Sequence, residues 1–196
     1  MTKELRTRYI LLISVGLACI LADQVAKVWA RGRLRSPEDR TYLTVKSTKK
    51  RVIKVVPHRI EFRLSYNRGA AFGMFNEATG SARWWLVVVG LLALGVVVYL
   101  LHRPESKSRL FVVALAMVAG GAIGNLTDRI LFGKVTDYVV VWLFKSISWT
   151  NPWPAFNVAD AVLVVGVGLM MIQVIWDGFR QDRDGKSKGS TSKAAA

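Results

Sequence analysis

The sequence predicts an integral membrane protein, mainly α-helical, with four transmembrane helices and a small β-rich region formed by the first outer loop. Three observations carry this. Hydrophobic residues make up 52% of the 196 positions, too many for an ordinary soluble domain. The formal net charge is nevertheless +15, so apolar and charged residues must be segregated. They are: long charge-poor stretches alternate with dense Lys/Arg segments, as in a chain that crosses a bilayer.

A bilayer core of about 30 Å needs roughly 20 residues of helix. Residues 9–29, 84–101, 110–126 and 158–176 meet that length and, apart from Asp23, Lys27 and Asp160, carry no charge. One membrane-embedded domain therefore spans 1–180. Residues 181–196, rich in Lys, Ser, Gly and Ala, have no capacity for a core and are expected to form a disordered basic tail. Lys3, Arg6 and Arg8 before an apolar run also describe a secretory signal, and Gly16-Leu17-Ala18-Cys19 faintly resembles a lipoprotein processing site. The apolar run continues through Ile20, Leu21 and Ala22, so a retained membrane span is expected.

Positive charge on short loops sets orientation. Lys3, Arg6 and Arg8, then Arg103, Lys107 and Arg109, then Arg180, Arg183, Lys186, Lys188 and Lys193 fall on one side of an even number of spans. That side, with both termini, is expected to be cytoplasmic. The loop of about 31–73 is also basic, which opposes this orientation, but the rule is weak for long loops. Within that loop Val52–Val56 and Ile60–Tyr66 are strand-like, with Ile60, Phe62, Leu64 and Tyr66 on one face and Pro57 as the break between them.

Several classes are disfavoured. The basic residues flank apolar segments instead of forming a polar face, so anionic lipid headgroups explain them better than nucleic acid. Cys19 is the single cysteine, which excludes an internal disulfide framework, and in an apolar run it is most simply a small buried hydrophobe. His58 and His102 are far apart with no His or Cys neighbours, so no zinc site is expected.

Placed on this topology, the unusual polar residues converge on the outer side. Asp23 and Lys27 end the first span, Asn67 lies in the outer loop, and Asn125, Asp128 and Arg129 end the third span. Asp137 follows in the next loop, and Asn157 and Asp160 open the fourth span. Ionisable groups at membrane depth are costly, and they either pair or do chemistry. Asp23 and Lys27 are spaced i, i+4, as are Asn125 and Arg129, with Asp128 at i+3, so each group shares a helix face. Both groups fit hydrogen-bonded glue between helices as well as they fit a site.

Asp137 and Asp160 have no obvious cation at helical spacing; Lys134 precedes Asp137 by three residues, which means little in a loop. Asp160 follows the breaker run Asn151-Pro152-Trp153-Pro154, with Asn157 as a plausible N-cap. A helix N-terminus favours an ionised carboxylate by roughly 0.3–1 kcal/mol. If Asp137 approaches it, one pKa of the pair must rise, leaving one general acid and one general base. An Asp160 that merely belongs to the cap, beside an unrelated Asp137, is the competing account. Gly120 and Gly124 make a small-x-x-x-small pair suited to close helix contact, and Gly69 and Gly73 around Ala70-Ala71-Phe72 suit a surface for extended backbone.

Five motifs then resemble one family in order. They are Asp23-Gln24-x-x-Lys27, Asn67-Arg68-Gly69-Ala70-Ala71-Phe72-Gly73, Gly120-Gly121-Ala122-Ile123-Gly124-Asn125-Leu126-Thr127-Asp128-Arg129, Val135-Thr136-Asp137-Tyr138 and Phe156-Asn157-Val158-Ala159-Asp160. Together they resemble lipoprotein signal peptidase (signal peptidase II). The resemblance implies an aspartyl endopeptidase of the bacterial inner membrane that acts on prolipoproteins already carrying diacylglycerol on a cysteine. It implies a catalytic pair, Asp137 and Asp160, and supporting or substrate-contacting roles for Asp23, Lys27, Asn67, Gly121, Asn125, Asp128, Arg129, Phe156, Asn157 and Ala159. It further implies no metal, no organic cofactor, a monomer contacting membrane phospholipids, and a site near the periplasmic face.

The chain departs from the family pattern in a longer, more basic segment at Ser36–Arg51 and in an extended stretch before Asp160. The latter contains Trp142, Trp149 and Trp153, which suit interfacial anchors or a flap. A small channel or transporter is the alternative class, and a non-enzymatic scaffold a third. An ion path should line the whole membrane depth with polar residues, whereas the inner halves of these helices lack them.

Overall fold

The computed structural model describes residues 2–35, 51–69, 81–103, 108–142 and 153–194, with backbone only at 81–83 and 181–194. Four helices, α1 (Lys3–Arg33), α2 (Ser81–Leu101), α3 (Arg109–Phe132) and α4 (Val158–Ala194), carry a three-stranded antiparallel sheet at one end. Each helix contains a span long and apolar enough to cross a membrane. The expected fold class, a mainly α integral membrane protein with a small β region, is what forms.

α3 is the central helix. About 61% of its apolar span is buried against the rest of the chain, compared with 11% in α1 and α4 and 17% in α2. The other three helices turn large apolar side chains outward, including Leu17, Leu21, Leu92, Val164 and Met171, which is the pattern for contact with lipid. Without a hydrophobic drive between helices in lipid, close packing depends on small residues. A Cβ added at Gly120 would lie 2.7 Å from the Cys19 side chain and 2.9 Å from the Gly16 carbonyl, so α1 meets α3 through backbone. At Gly121 it would lie 2.5 Å from the Ala159 carbonyl, so the start of α4 is seated on α3 the same way.

The sheet has the order β1 (Val52–Val56), β2 (Ile60–Asn67), β3 (Val135–Val141). The first two strands were expected; the third was not, since 135–141 was expected to be irregular. Its β-branched run gains a ladder from β2, with Ser65 opposite Asp137 and Tyr66 opposite Thr136. The β region is therefore built from two loops. Phe62, Leu64 and Tyr66 face inward as expected, packing with Tyr138 against Ala30 of α1 and Leu34, which caps its end. Ile60 is not part of that cluster and lines a separate cavity beside Trp142.

Three boundaries differ from expectation. α1 runs past Trp29 to Arg33. α3 runs past Leu126 to Phe132 and stops where Gly133 adopts φ 70, a left-handed cap with its N–H on the Arg129 carbonyl. α4 is helical to Ala194, where a disordered tail was expected; extending an existing helix avoids the nucleation cost that an isolated segment meets. Ser36–Lys50, Ala70–Gly73, Trp149 and Asn151-Pro152 lie outside the described residues.

Candidate active site

The sheet end of the helices holds two adjoining polar clusters. The first is buried and cationic at its centre. Lys27 and Asp23 form the expected ion pair at 2.9 Å, with both side chains fully buried. The Lys27 ammonium also donates to Asn125 Oδ1 at 3.0 Å and to the Gly124 carbonyl at 3.3 Å, and lies 3.7 Å from Asp128. Each carboxylate also accepts from a backbone N–H of a neighbouring element. Asp23 Oδ1 accepts the Ala159 backbone N–H at 2.9 Å, tying α1 to the first turn of α4. Asp128 Oδ2 accepts the Thr136 N–H at 2.8 Å, tying α3 to β3. Arg31 closes the rim, reaching Thr136 Oγ1 at 2.9 Å and Asp128 Oδ1 at 3.4 Å.

The second cluster is built on amides. Asn157 caps α4, its Oδ1 accepting the Asp160 N–H at 2.9 Å, while Asp160 Oδ2 accepts the Asn157 N–H at 3.2 Å. This reciprocal arrangement is a capping box with Asp in the acidic place. It leaves the Asn157 amide free to donate to Asp137 Oδ1 at 2.7 Å. Asp160 Oδ1 in turn accepts from Asn125 Nδ2 at 2.7 Å. The orientation of Asn125 follows from chemistry: its oxygen faces the Lys27 ammonium, so its NH₂ must face Asp160. A short backbone ladder holds the two aspartates together. Phe156 pairs with Val139, donating to its carbonyl at 3.0 Å and accepting from its N–H at 2.9 Å.

Asp160 and Asp137 are thus neighbours through one side chain. Asp160 belongs to a helix cap, and it shares Asn157 with Asp137. Asp137 is buried and its carboxyl is pushed up to about 7, chiefly by loss of water and then by the Asp160 charge. Hydrogen bonds from Asn157 and Asn67 and the charge of Lys27 pull weakly the other way. Lys134, three residues before Asp137, sits with its ammonium 3.9 Å over the Tyr66 ring.

A cavity of about 590 Å³ opens over this second cluster. Asn67, Asn125, Arg129, Asp137 and Asp160 form its polar end, with Trp153, Pro154 and Phe156 also lining it. Its other wall is the apolar flank of α4 at Ala161, Leu163, Val164 and Val165, which leads down the membrane-spanning part of the helix. Of the residues singled out in the sequence, Asp23, Lys27, Asp128, Gly121, Asn157 and Ala159 stand behind this surface. Three participants were missed. Arg31 lies four residues beyond Lys27, a helical spacing that offered a signal; Thr136 and Gln24 sat inside quoted motifs. Gln24 donates to Asp23 at 3.0 Å and to the Gly124 carbonyl at 3.1 Å. Among the described residues, no three His, Cys, Asp or Glu side chains gather as metal ligands.

The fold and this cavity define a class: a multi-span membrane protein with paired carboxylates at one end of its helix bundle. Comparison with known proteins narrows it. The family model for signal peptidase II (SPase II) matches residues 15–176. The lipoprotein signal peptidase of Ectopseudomonas mendocina is 38% identical over 68% of this chain and 75% of its own. That of Symbiobacterium thermophilum is 33% identical over 83% of this chain and 93% of its own. The chain belongs to the signal peptidase II family. A bacterial membrane enzyme solved by the in meso method shares the fold, with a TM-score of 0.68 at 24% identity over 85% of this chain and 88% of that one. The protein is accordingly a membrane peptidase that processes signal peptides.

Proposed function

We propose that this peptidase is an aspartyl endopeptidase that cuts diacylglyceryl-modified prolipoproteins immediately before the lipidated cysteine. It acts as a monomer in the bacterial inner membrane, with both termini cytoplasmic and the site at the periplasmic face. The observation that carries the reading is Asn157, whose side chain bonds Asp137 and caps the helix turn holding Asp160. Two carboxylates joined in this way, with amides as their hydrogen-bond donors, suit a shared proton.

Asp137, with its raised carboxyl, is the protonated member near neutral pH, and Asp160 is the base. A water between them loses a proton to Asp160 as its oxygen attacks the scissile carbonyl. Asp137 donates its proton to the carbonyl oxygen. The tetrahedral diol then collapses: Asp137 recovers a proton, the C–N bond breaks, and Asp160 protonates the departing amine. Asn67 and Arg129, at the polar end of the cavity, supply donors to the substrate backbone. The apolar α4 wall suits the acyl chains, which stay in the bilayer while the peptide reaches the dyad. Positive charge at Lys3, Arg6 and Arg8, on the end of α1 remote from the sheet, supports the orientation.

A small channel or transporter is less well supported. Asp23, Lys27, Asn125, Asp128 and Asn157, buried polar groups among the described residues, lie together at the sheet end and do not form a path across the bilayer. The test is cleavage of a diacylglyceryl prolipoprotein by the purified chain in detergent, with the product's N-terminus read by mass spectrometry. Asp137→Asn and Asp160→Asn should each abolish cleavage, and unmodified prolipoprotein should remain uncut. Near-normal turnover by either variant would overturn the dyad. Equal cutting of the unmodified precursor would overturn the substrate assignment.

A further inference from the structure

The β1–β2 hairpin lies outside the site and its surface is unusual. Val52, Ile53, Val55 and Val56 are 40–48% exposed, so both faces of an edge strand present large apolar groups. A strand edge of this kind is an association hazard unless something covers it. Between the apolar residues stand exposed basic ones: Arg51, Lys54 and, in the turn, His58 and Arg59. Lys54, His58 and Arg59 also line a cavity of about 260 Å³, walled by Trp142 and Glu61. Glu61 lies 3.7 Å from Arg63, so the acid has a cation of its own beside this basic rim.

Position decides what can reach this surface. Trp29, at the sheet end of the α1 span, meets the Phe62 ring edge-on at 5.4 Å, and Phe62 pairs across the ladder with Ile53. One strand spacing, about 4.8 Å, therefore separates β1 from a residue packed on a membrane-spanning helix. The hairpin thus lies beside the sheet end of a membrane-spanning helix, with apolar and basic groups both exposed on it. We propose that the hairpin is a docking surface for anionic phospholipid in the leaflet facing the sheet. Val52, Ile53, Val55 and Val56 enter the interface, and the cavity rimmed by Lys54, His58 and Arg59 takes the lipid phosphate. Trp142 supplies an amphipathic wall of the kind found at membrane interfaces. The surface would hold the sheet, and hence β3 and Asp137, at a fixed height above the bilayer. This rests on the membrane assignment alone and is independent of which substrate the dyad cleaves.

The test reads lipid contact, not turnover. The full chain, with Cys19→Ala and Val55→Cys, is labelled with bimane and reconstituted in phosphatidylcholine vesicles. These contain equal minor fractions of either brominated phosphatidylglycerol or brominated phosphatidylcholine. Quenching should favour the anionic lipid by roughly fivefold, as one basic residue near the surface provides. Lys54→Glu with Arg59→Glu should erase the preference while leaving quenching by the zwitterionic lipid. The milder pair Lys54→Gln with Arg59→Gln should reduce it, which guards against a misfolded charge reversal. Equal quenching by both lipids in the unreversed protein would overturn the headgroup site. No quenching at all would overturn the docking surface. A bimane shift that tracks protein density but not lipid charge would assign the strand to a second copy of the chain instead.

Discussion

The molecule holds four buried or half-buried carboxylates within one small volume, and they fall into two pairs with different partners. Asp23 and Asp128 face cations: Lys27 lies 2.9 Å from one and 3.7 Å from the other, and Arg31 adds to the second. Each also accepts from a backbone N–H, Asp23 from α4 and Asp128 from β3. Asp137 and Asp160 face amides, from Asn157 and Asn125, and open onto the cavity. Charges matched in place are fixed and chemically quiet. Carboxylates held by neutral donors and close enough to interact ionise together only at a cost. The two pairs differ in whether their close partners are ion-paired cations or amides, and Asn125 joins the halves by accepting from Lys27 and donating to Asp160.

The largest effects should separate the pairs by readout. Asp160→Asn should lower kcat by about three orders of magnitude or more at a stability cost of only about 1–2 kcal/mol, since its NH₂ must face either the Asn125 amide or the Asn157 N–H, both donors. Lys27→Met should do the reverse first. It strands buried Asp23 and leaves Asp128 with Arg31 alone, and should cost about 3–5 kcal/mol of stability, seen as a large loss of folded protein and of unfolding temperature. A Lys27→Met protein of native stability would show that Asp23 and Asp128 do not depend on it, and the division would fail.

The next effect tests the amide-held pair through pH. The folded carboxyl of Asp137, at about 7, lies above its ordinary value of 3.8. The folded protein therefore binds that proton more tightly, and stability is lost as pH rises from about 4 to 7, then levels off. Asp137→Asn removes the penalty but keeps an oxygen for Asn157. It should be inactive yet more stable than the parent above pH 7, by about 2–4 kcal/mol, with the gain vanishing near pH 4. In the parent, kcat/KM should fall above about pH 7 as Asp137 loses its proton. A stability difference independent of pH would show that Asp137 is not the strained carboxyl.

Local pattern made much of this legible. The spacing of Asp23 and Lys27 predicted their ion pair, Gly120 and Gly124 predicted close helix packing, and alternation predicted the inward face of β2. What could not be read were partners distant in the chain. Val135–Val141 had no alternation, because both faces of β3 are largely buried, so it did not declare itself a strand. α3 continues past Leu126 because Asp128 finds its partners on α1 and β3, not in solvent. Gly133 was the local sign of its true end. The division between the carboxylate pairs depends on Asn157 and Asn125, whose bonds reach across 20 to 35 residues of sequence. Only the family motifs singled out Asp137 and Asp160 in advance.

The smallest predicted effect lies within the cationic cluster and sharpens what its centre means. Arg31 and Lys27 both approach Asp128, but Arg31 retains 12% exposure and stands at 3.4 Å, with its guanidinium 4.8 Å over the Phe132 ring. Removing it leaves Asp128 with the Lys27 ammonium and the Thr136 N–H, so no buried charge is stranded. The loss is one hydrogen bond to Thr136 and a partly hydrated ion pair, together about 1 kcal/mol. Arg31→Met should therefore lower the unfolding temperature slightly and change kcat by less than about threefold, since its stem still covers Phe132. Raising salt should weaken the parent by a comparable margin and leave Arg31→Met unaffected, because only the rim of the cluster is open to screening. If Arg31→Met instead matched Lys27→Met in severity, counter-charge would be distributed over the whole cluster and Lys27 would not be its centre.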